Sequence, residues 1–252
     1  MLLVTGDSML QANLKFYYHR KHCHSHPFLE NISFSLQPSA ITCLLGLSGV
    51  GKTTLIRILL GLTGGKFDGN IEYLCDGDLL GPIEARKRGL IGVISQGNTL
   101  VPWLTVKDNL LLPARMNSKL SVPSQYQISE YLKTFNLTSA VLSHFPDTLS
   151  FGMMQRVAVI RTLLYRPRYL LLDEIFTGLD TVNAEQLAVT LRQYVLDYGA
   201  SCLIVTHDIS RALDIGDSFL YLNTVRKLIQ LDNDISEDKL RHLMREDIVS
   251  VA

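Results

Sequence analysis

Polar and apolar positions alternate strictly in one stretch of the chain and run together in four others. In FLENISFSLQ (28–37), Ile32, Phe34 and Leu36 alternate with serines, which predicts a strand buried on one face in an antiparallel sheet. ITCLLG (41–46), LIGVIS (90–95), YLLLD (169–173) and SCLIVT (201–206) are short and continuously apolar. That is the pattern of parallel strands covered on both faces. Helical spacing follows or separates them in KTTLIRILLGL (52–62), VKDNLLLPARM (106–116), SQYQISEYLKTF (124–135), SFGMMQRVAVIRTLLY (150–165) and NAEQLAVTLRQYVLDY (183–198). SEDKLRHLMRE (236–246) adds a final helix, with Ser236 as N-cap and acids in its first turn.

Strands alternating with helices predict an α/β fold in three layers. The expected form is a mostly parallel core sheet with an antiparallel β portion near the N-terminus. The stretch of about 97–150 breaks the alternation and reads as an inserted helical subdomain. No repeat or Pro/Gly-rich linker divides the rest, so residues 1–252 are expected to be a single domain, its core about 1–96 and 151–252.

Composition narrows the function. Apolar residues are 47 % and charged residues 19 %, which suits a folded globular chain. Lys plus Arg is 24 and Asp plus Glu is 24, so no net field draws it to nucleic acid or an anionic membrane. No run approaches the roughly 20 apolar residues of a membrane span, and the first residues lack the pattern of a signal peptide. Any membrane role is therefore expected to come through a partner. The mean hydropathy of +0.17 leaves room for a contact surface or simply a large core. Cys43 and Cys202 fall inside apolar runs and read as small buried hydrophobes, as in a reducing cytoplasm.

GLSGVGKT (46–53) fits G-x-x-x-x-G-K-[ST], between a predicted strand and a predicted helix. This is a phosphate-binding loop for a nucleoside triphosphate with Mg²⁺. Gly46, Leu47, Ser48, Gly49, Val50, Gly51, Lys52, Thr53 and Thr54 are its expected contacts. The glycines let backbone N–H groups curl around the phosphates at a helix N-terminus. Lys52 reaches the β- and γ-phosphates, and the Thr53 hydroxyl ligates the metal. YLLLDE (169–174) ends a second strand in two carboxylates: Asp173 to hold Mg²⁺ and Glu174 to polarise the attacking water. Gln96 and His207 also follow apolar strands, and all these groups share the carboxyl edge where open α/β sheets bind ligands. Gln96 is placed to reach the metal or the water, and His207 the γ-phosphate.

LSFGMMQR (149–156), just before YLLLDE, resembles the signature segment of ABC ATPases, usually LSGGQ. Gln96 then matches the Q-loop, FTGLD (176–180) with Asp180 the D-loop, and His207 in VTHD the switch histidine. The resemblance covers about residues 10–230 with every motif in family order. It implies ATP hydrolysis between two P-loop domains, so that Ser150 and the Gly152 N–H touch the γ-phosphate bound by a second subunit, in a homodimer or with a similar chain. LVPWLTVKDNLLLP (100–113) and QRVAVIRTLLYRP (155–167) look most like the ATPases of nitrate, sulfonate and taurine importers. By that resemblance a membrane permease docks near 97–113, where Trp103 is either a contact or core packing. A separate substrate-binding protein is a further expected partner. The location is peripheral, on the cytoplasmic face of the cell membrane. Family members also stack an aromatic on adenine, for which LKFYY (14–18) offers Tyr18, with Tyr17 and Phe16 as alternatives.

Phe151 replaces the first signature glycine, Met153 the usual Gln, Ile175 a frequent Pro, and Ser39-Ala40 a Gly turn; none removes a catalytic group. HRKHCHSH (19–26) is open to Zn²⁺ or Cu⁺ binding or to being a solvated loop. Two other readings compete with a transport ATPase. A small-molecule kinase explains the P-loop but not the signature segment. A soluble ABC protein acting on nucleic acid would carry paired ATPase domains or coiled-coil insertions, which this sequence lacks.

Overall fold

The alternation at 28–37 forms a strand in which Leu29, Ile32, Phe34 and Leu36 are buried while Ser33 and Ser35 are exposed. It belongs to a computed structural model that describes residues 9–17, 27–95 and 100–249. The chain runs β1 (Leu10–Tyr17), β2 (Leu29–Leu36), β3 (Ala40–Leu45), α1 (Lys52–Leu59), β4 (Lys66–Cys75), β5 (Asp78–Leu80), α2 (Pro82–Lys87) and β6 (Ile91–Ile94). It continues through α3 (Val106–Met116), α4 (Gln125–Thr134), two 3₁₀ turns, α5 (Phe151–Leu163), β7 (Tyr169–Asp173), α6 (Thr181–Tyr198) and β8 (Ser201–Val205). The last elements are α7 (Ile209–Ile215), β9 (Ser218–Leu222), β10 (Leu228–Leu231) and α8 (Glu237–Val249).

Two sheets result. One is antiparallel, in the order β2-β1-β4-β5. The other, in the order β10-β9-β3-β8-β7-β6, is parallel apart from its edge strand β10. Residues on one face of the parallel sheet, such as Leu171 and Val205, pack with α1 and the antiparallel sheet. Those on the other, such as Leu170 and Ile204, pack with α3, α4, α5 and α6. Each continuously apolar run thus faces a core on both sides, as its pattern requires. Tyr73 and Tyr169 meet edge to face at 4.8 Å between the sheets, where Tyr73 donates to the Leu59 carbonyl and Tyr169 to that of Leu74.

The sequence pattern did not predict β4, β5, β9, β10, α2 or α7. β4 passes through Asp68, Gly69 and Asn70, all poor strand formers, and is specified by pairing with β1 along its length. β10 is an edge strand that buries no residue fully, so it has no apolar signature.

Between β6 and α5 the described residues form helices and turns but no strand. Here the fully buried Asn109 organises the chain ahead of its own helix. Its Oδ1 accepts from the Val101 N–H at 2.8 Å, and its Nδ2 donates to the carbonyls of Val101, Leu104 and Thr105 at 3.1 Å. Trp103 sits on the turn so held and is 77 % exposed, which excludes the core-packing alternative. Truncating Asn109 would leave the half-buried Val101 N–H without its acceptor and remove the donations to the Val101, Leu104 and Thr105 carbonyls. We expect Asn109→Ala to lower stability by about 2–3 kcal/mol, measured by urea denaturation.

Candidate active site

β3 ends at Leu45, and residues 46–51 turn the chain directly into α1. Gly46, Gly49 and Gly51 all have positive φ, and a Cβ on Gly46 would lie 2.5 Å from the Leu222 carbonyl oxygen, so the turn admits no side chain there. Val50 is buried and anchors the loop, whereas Ser48 and Gly49 are exposed on its rim. Unlike α3, α4, α5 and α6, helix α1 has no side chain capping its N-terminus. Its first-turn N–H groups and their partial positive charge face the loop and suit an anion.

Lys52 is buried and donates to the carbonyls of Gly46 at 2.7 Å and Leu47 at 3.0 Å. Burial lowers its ammonium from the ordinary value, opposed by Glu174 and Asp173. Thr53 Oγ1 donates to Asp173 Oδ2 at 2.8 Å. Asp173 Oδ1 is buried and has no hydrogen-bond partner among the described residues. Burial raises this carboxyl above its ordinary value, with the Thr53 hydrogen bond opposing and the Glu174 charge adding to the rise. Glu174 adopts φ +53°, its N–H bonds the Val205 carbonyl at 2.9 Å, and its Oε1 lies 2.9 Å from His207 Nδ1.

These groups border one cavity of about 290 Å³, which Lys52, Thr53, Asp173, Glu174 and His207 line with the loop. A hydroxyl and a carboxylate oxygen with an open lone pair are the hard oxygen donors that Mg²⁺ takes, so these residues fit that ion. A larger cavity of about 510 Å³ lies against β6, α3 and α5, but it has no carboxylate and no phosphate-type loop. The chemistry is concentrated in the smaller one.

Ser150, Gly152 and Asp180 do not line that cavity. Ser150 caps α5, its Oγ accepting from the Met153 N–H at 3.3 Å, and Asp180 caps α6 by accepting from the Asn183 N–H at 2.9 Å. Gln96, Tyr18 and the cluster 19–26 lie outside the described residues. Among the described residues no group of His, Cys, Asp or Glu could hold a metal ion on its own. Phe16 is wholly buried and is excluded as a stacking platform, while Tyr17 is half-buried.

Phe28 was missed. Its ring touches the position where a Cβ on Gly51 would stand, and it lines the loop cavity; the Arg226 guanidinium lies 4.0 Å above the ring. The available signal was an aromatic residue at the very start of a predicted strand.

The profile of the ABC transporter family matches residues 29–177. The chain belongs to that family. Among curated relatives of this ABC chain, a sulfate/thiosulfate import ATP-binding protein of Mannheimia succiniciproducens is 34 % identical over 207 residues, 81 % of the chain and 56 % of the relative. A nitrate import ATP-binding protein of Synechocystis is 35 % identical over 78 % of the chain and 28 % of its own length. An aliphatic sulfonates import ATP-binding protein of Burkholderia cenocepacia is 35 % identical over 87 % of the chain and 76 % of its own length. The chain thus spans only about half the length of the first relative and less of the second. Among solved structures, the ATP-binding subunit of an ABC transporter superposes with a TM-score of 0.77 at 25 % identity, covering 94 % of this chain and 99 % of that one. A dimeric ATP-binding cassette in a post-hydrolysis state with ADP and phosphate gives 0.75 at 26 % identity, over 91 % and 100 % of the two chains.

The electrostatics of this ABC site carry a cost in the free protein. A carboxyl whose folded value is raised favours its protonated form, so its contribution to stability is present at low pH and lost as pH rises through the folded value. The neutral amide of Asp173→Asn escapes that loss and can still accept from Thr53. We expect the variant to be more stable than wild type at about pH 7. The gap should close as pH falls towards about 4, followed by urea denaturation across that range.

Proposed function

We propose that the chain binds ATP in the cavity around residues 46–54 and hydrolyses it to drive a membrane importer. The observation that carries this reading is the Thr53–Asp173 hydrogen bond beside the Glu174–His207 pair, at the mouth of a glycine loop that opens onto an uncapped helix. Backbone N–H groups of the loop and of α1 would receive the phosphates. Lys52 would exchange its two carbonyl partners for the β- and γ-phosphate oxygens, which explains how a buried ammonium is held in the free protein. Thr53, Asp173 and Gln96 would hold Mg²⁺, which supplies neutralisation of charge on the phosphates.

Glu174 would take a proton from the attacking water as oxygen bonds the γ-phosphorus and the bond to the β,γ-bridging oxygen breaks, releasing ADP and phosphate. His207 orients Glu174 through its Nδ1 and faces the γ-phosphate. Phe28, or Tyr17 or Tyr18, would supply an aromatic surface for the base.

Ser150 and Gly152 stand away from their own chain's cavity, so they would serve a second subunit's ATP, in a homodimer or with a similar chain. The exposed Trp103, on the turn fixed by Asn109, supports permease docking near 97–113. No helix among the described residues is long and apolar enough to cross a membrane; the chain would act as a peripheral subunit, bound through its permease on the cytoplasmic face. A separate substrate-binding protein would deliver the cargo, as the import functions printed for the relatives suggest.

Glu174→Gln should bind ATP with near-native affinity and lose at least about 100-fold in kcat, accumulating as an ATP-bound dimer by size-exclusion chromatography. Turnover at the wild-type rate would remove Glu174 from its role. Affinity capture of the tagged chain from native membranes should recover an integral membrane protein in stoichiometric amount. Recovery of the chain from the soluble fraction alone would favour an ABC ATPase with no permease.

A further inference from the structure

Phe151 stands where the signature segment of similar ATPases has glycine, and it makes a contact that a glycine could not. It is the first residue of α5, and the edge of its ring lies against Gly178. A Cβ on Gly178 would come within 2.7 Å of Phe151 Cε1 and 3.1 Å of Cδ1. The ring can sit there only because position 178 has no side chain, and φ +79° at that residue also favours glycine.

The rest of the same helical turn touches the same loop. Gly152 faces Leu179, a Cβ there lying 3.6 Å from Leu179 Cδ2, and Gln155 Nε2 donates to the Ile175 carbonyl. One turn of α5 therefore grips residues 175–179, the segment that leaves Glu174. The Phe151 ring also lines a second cavity, of about 220 Å³, together with Ser95, Gln155, Thr177 and Glu174. Glu174 thus borders two cavities, one on the phosphate loop and one closed by Phe151.

Glu174 depends on such support. Its φ of +53° is unusual for a residue with a side chain, and that geometry persists only where the surroundings hold it. Beyond His207, its carboxylate receives a long 3.5 Å hydrogen bond from Thr177 Oγ1, a group on the gripped loop.

We propose that Phe151 is a positioning residue: its ring clamps Gly178 and, through residues 175–179, holds the Glu174 carboxylate towards His207 and the phosphate-loop cavity. The inference rests on the reading of Glu174 as the base for ATP hydrolysis. The clamp is a contact within one chain, distinct from anything the signature segment does towards a second subunit.

The test compares wild type with Phe151→Ala and Phe151→Tyr in the full chain, by amide hydrogen exchange and by steady-state ATPase kinetics. In Phe151→Ala, exchange in a peptide covering 174–180 should quicken about tenfold, with peptides from β3 and β8 unchanged. Its kcat should fall about tenfold while affinity for a fluorescent ATP analogue stays within about twofold of wild type. Phe151→Tyr, which keeps the ring, should restore both. Unchanged protection of 174–180 in Phe151→Ala overturns the clamp. A kcat equal to or above that of wild type overturns the positioning role, and in the latter case the ring would be an obstruction. If Phe151→Ala fails to fold, Phe151→Leu, with apolar bulk but no ring over Gly178, carries the same comparison. Wild-type protein that turns over no ATP defeats the hydrolase reading separately, since the exchange measurement needs no turnover.

Discussion

Thr53 donates its hydroxyl to Asp173 across 2.8 Å, joining two residues that lie 120 positions apart in the chain. The bond exists because of strand register. Leu44 of β3 is level with Val205 of β8, and Val205 is level with Asp173 of β7. Three parallel strands therefore end at one height. The loop after β3, the carboxylates closing β7 and His207 after β8 emerge side by side. A slip of one residue in β7 would turn Asp173 to the opposite face of the sheet, and the Glu174–His207 pair would be lost with it. The apolar strands thus hold the register on which every polar contact of the site depends.

Once assembled, the site is under electrostatic tension. Lys52 and Asp173 are both buried, and burial disfavours the charged form of each, lowering the lysine and raising the aspartate. The two are of opposite sign, yet Lys52 hydrogen-bonds backbone carbonyls and Asp173 hydrogen-bonds a hydroxyl. Each is satisfied locally and incompletely, as the unpartnered Asp173 Oδ1 shows. A polyanion with a divalent cation would complete both sets of bonds at once. Stability given up in the free protein is thereby available as binding energy, the exchange expected where function and fold compete for the same residues.

Much of this was legible in the sequence because the elements that carry the chemistry obey strong local rules. The α/β fold with an antiparallel N-terminal portion is borne out, and so is the family resemblance drawn from the motifs. Four continuous apolar runs became the strands β3, β6, β7 and β8. What escaped was specified non-locally. β4, with its Asp-Gly-Asn centre, is a strand because β1 lies beside it, and Phe28 reaches the cavity because Gly51 leaves room for its ring. Trp103 could not be assigned to core or surface from spacing, because a turn residue has no period. Its exposure on the turn that Asn109 holds decided it. Sequence reading therefore located residues that precede or follow a regular element and missed those positioned by a partner strand or a buried amide.

The helix N-termini divide the work differently from one another. α1 begins without a side-chain cap, so no capping side chain stands between its N-terminus and the loop cavity. α5 and α6 begin with Ser150 and Asp180, whose side chains accept from backbone N–H groups three residues on. A serine that accepts through its oxygen keeps its own hydroxyl proton free to donate, so the Ser150 cap fixes the residue while leaving it able to bind an anion from outside. An aspartate cap has no such proton, and Asp180 instead takes up charge at the start of α6. Glu174 begins the loop that Phe151 grips and Asp180 ends it, while Ser150 immediately precedes Phe151 in the chain. A residue change in this loop would therefore act both on the Glu174 carboxylate and on the turn that begins with Ser150, with no need for contact between the two.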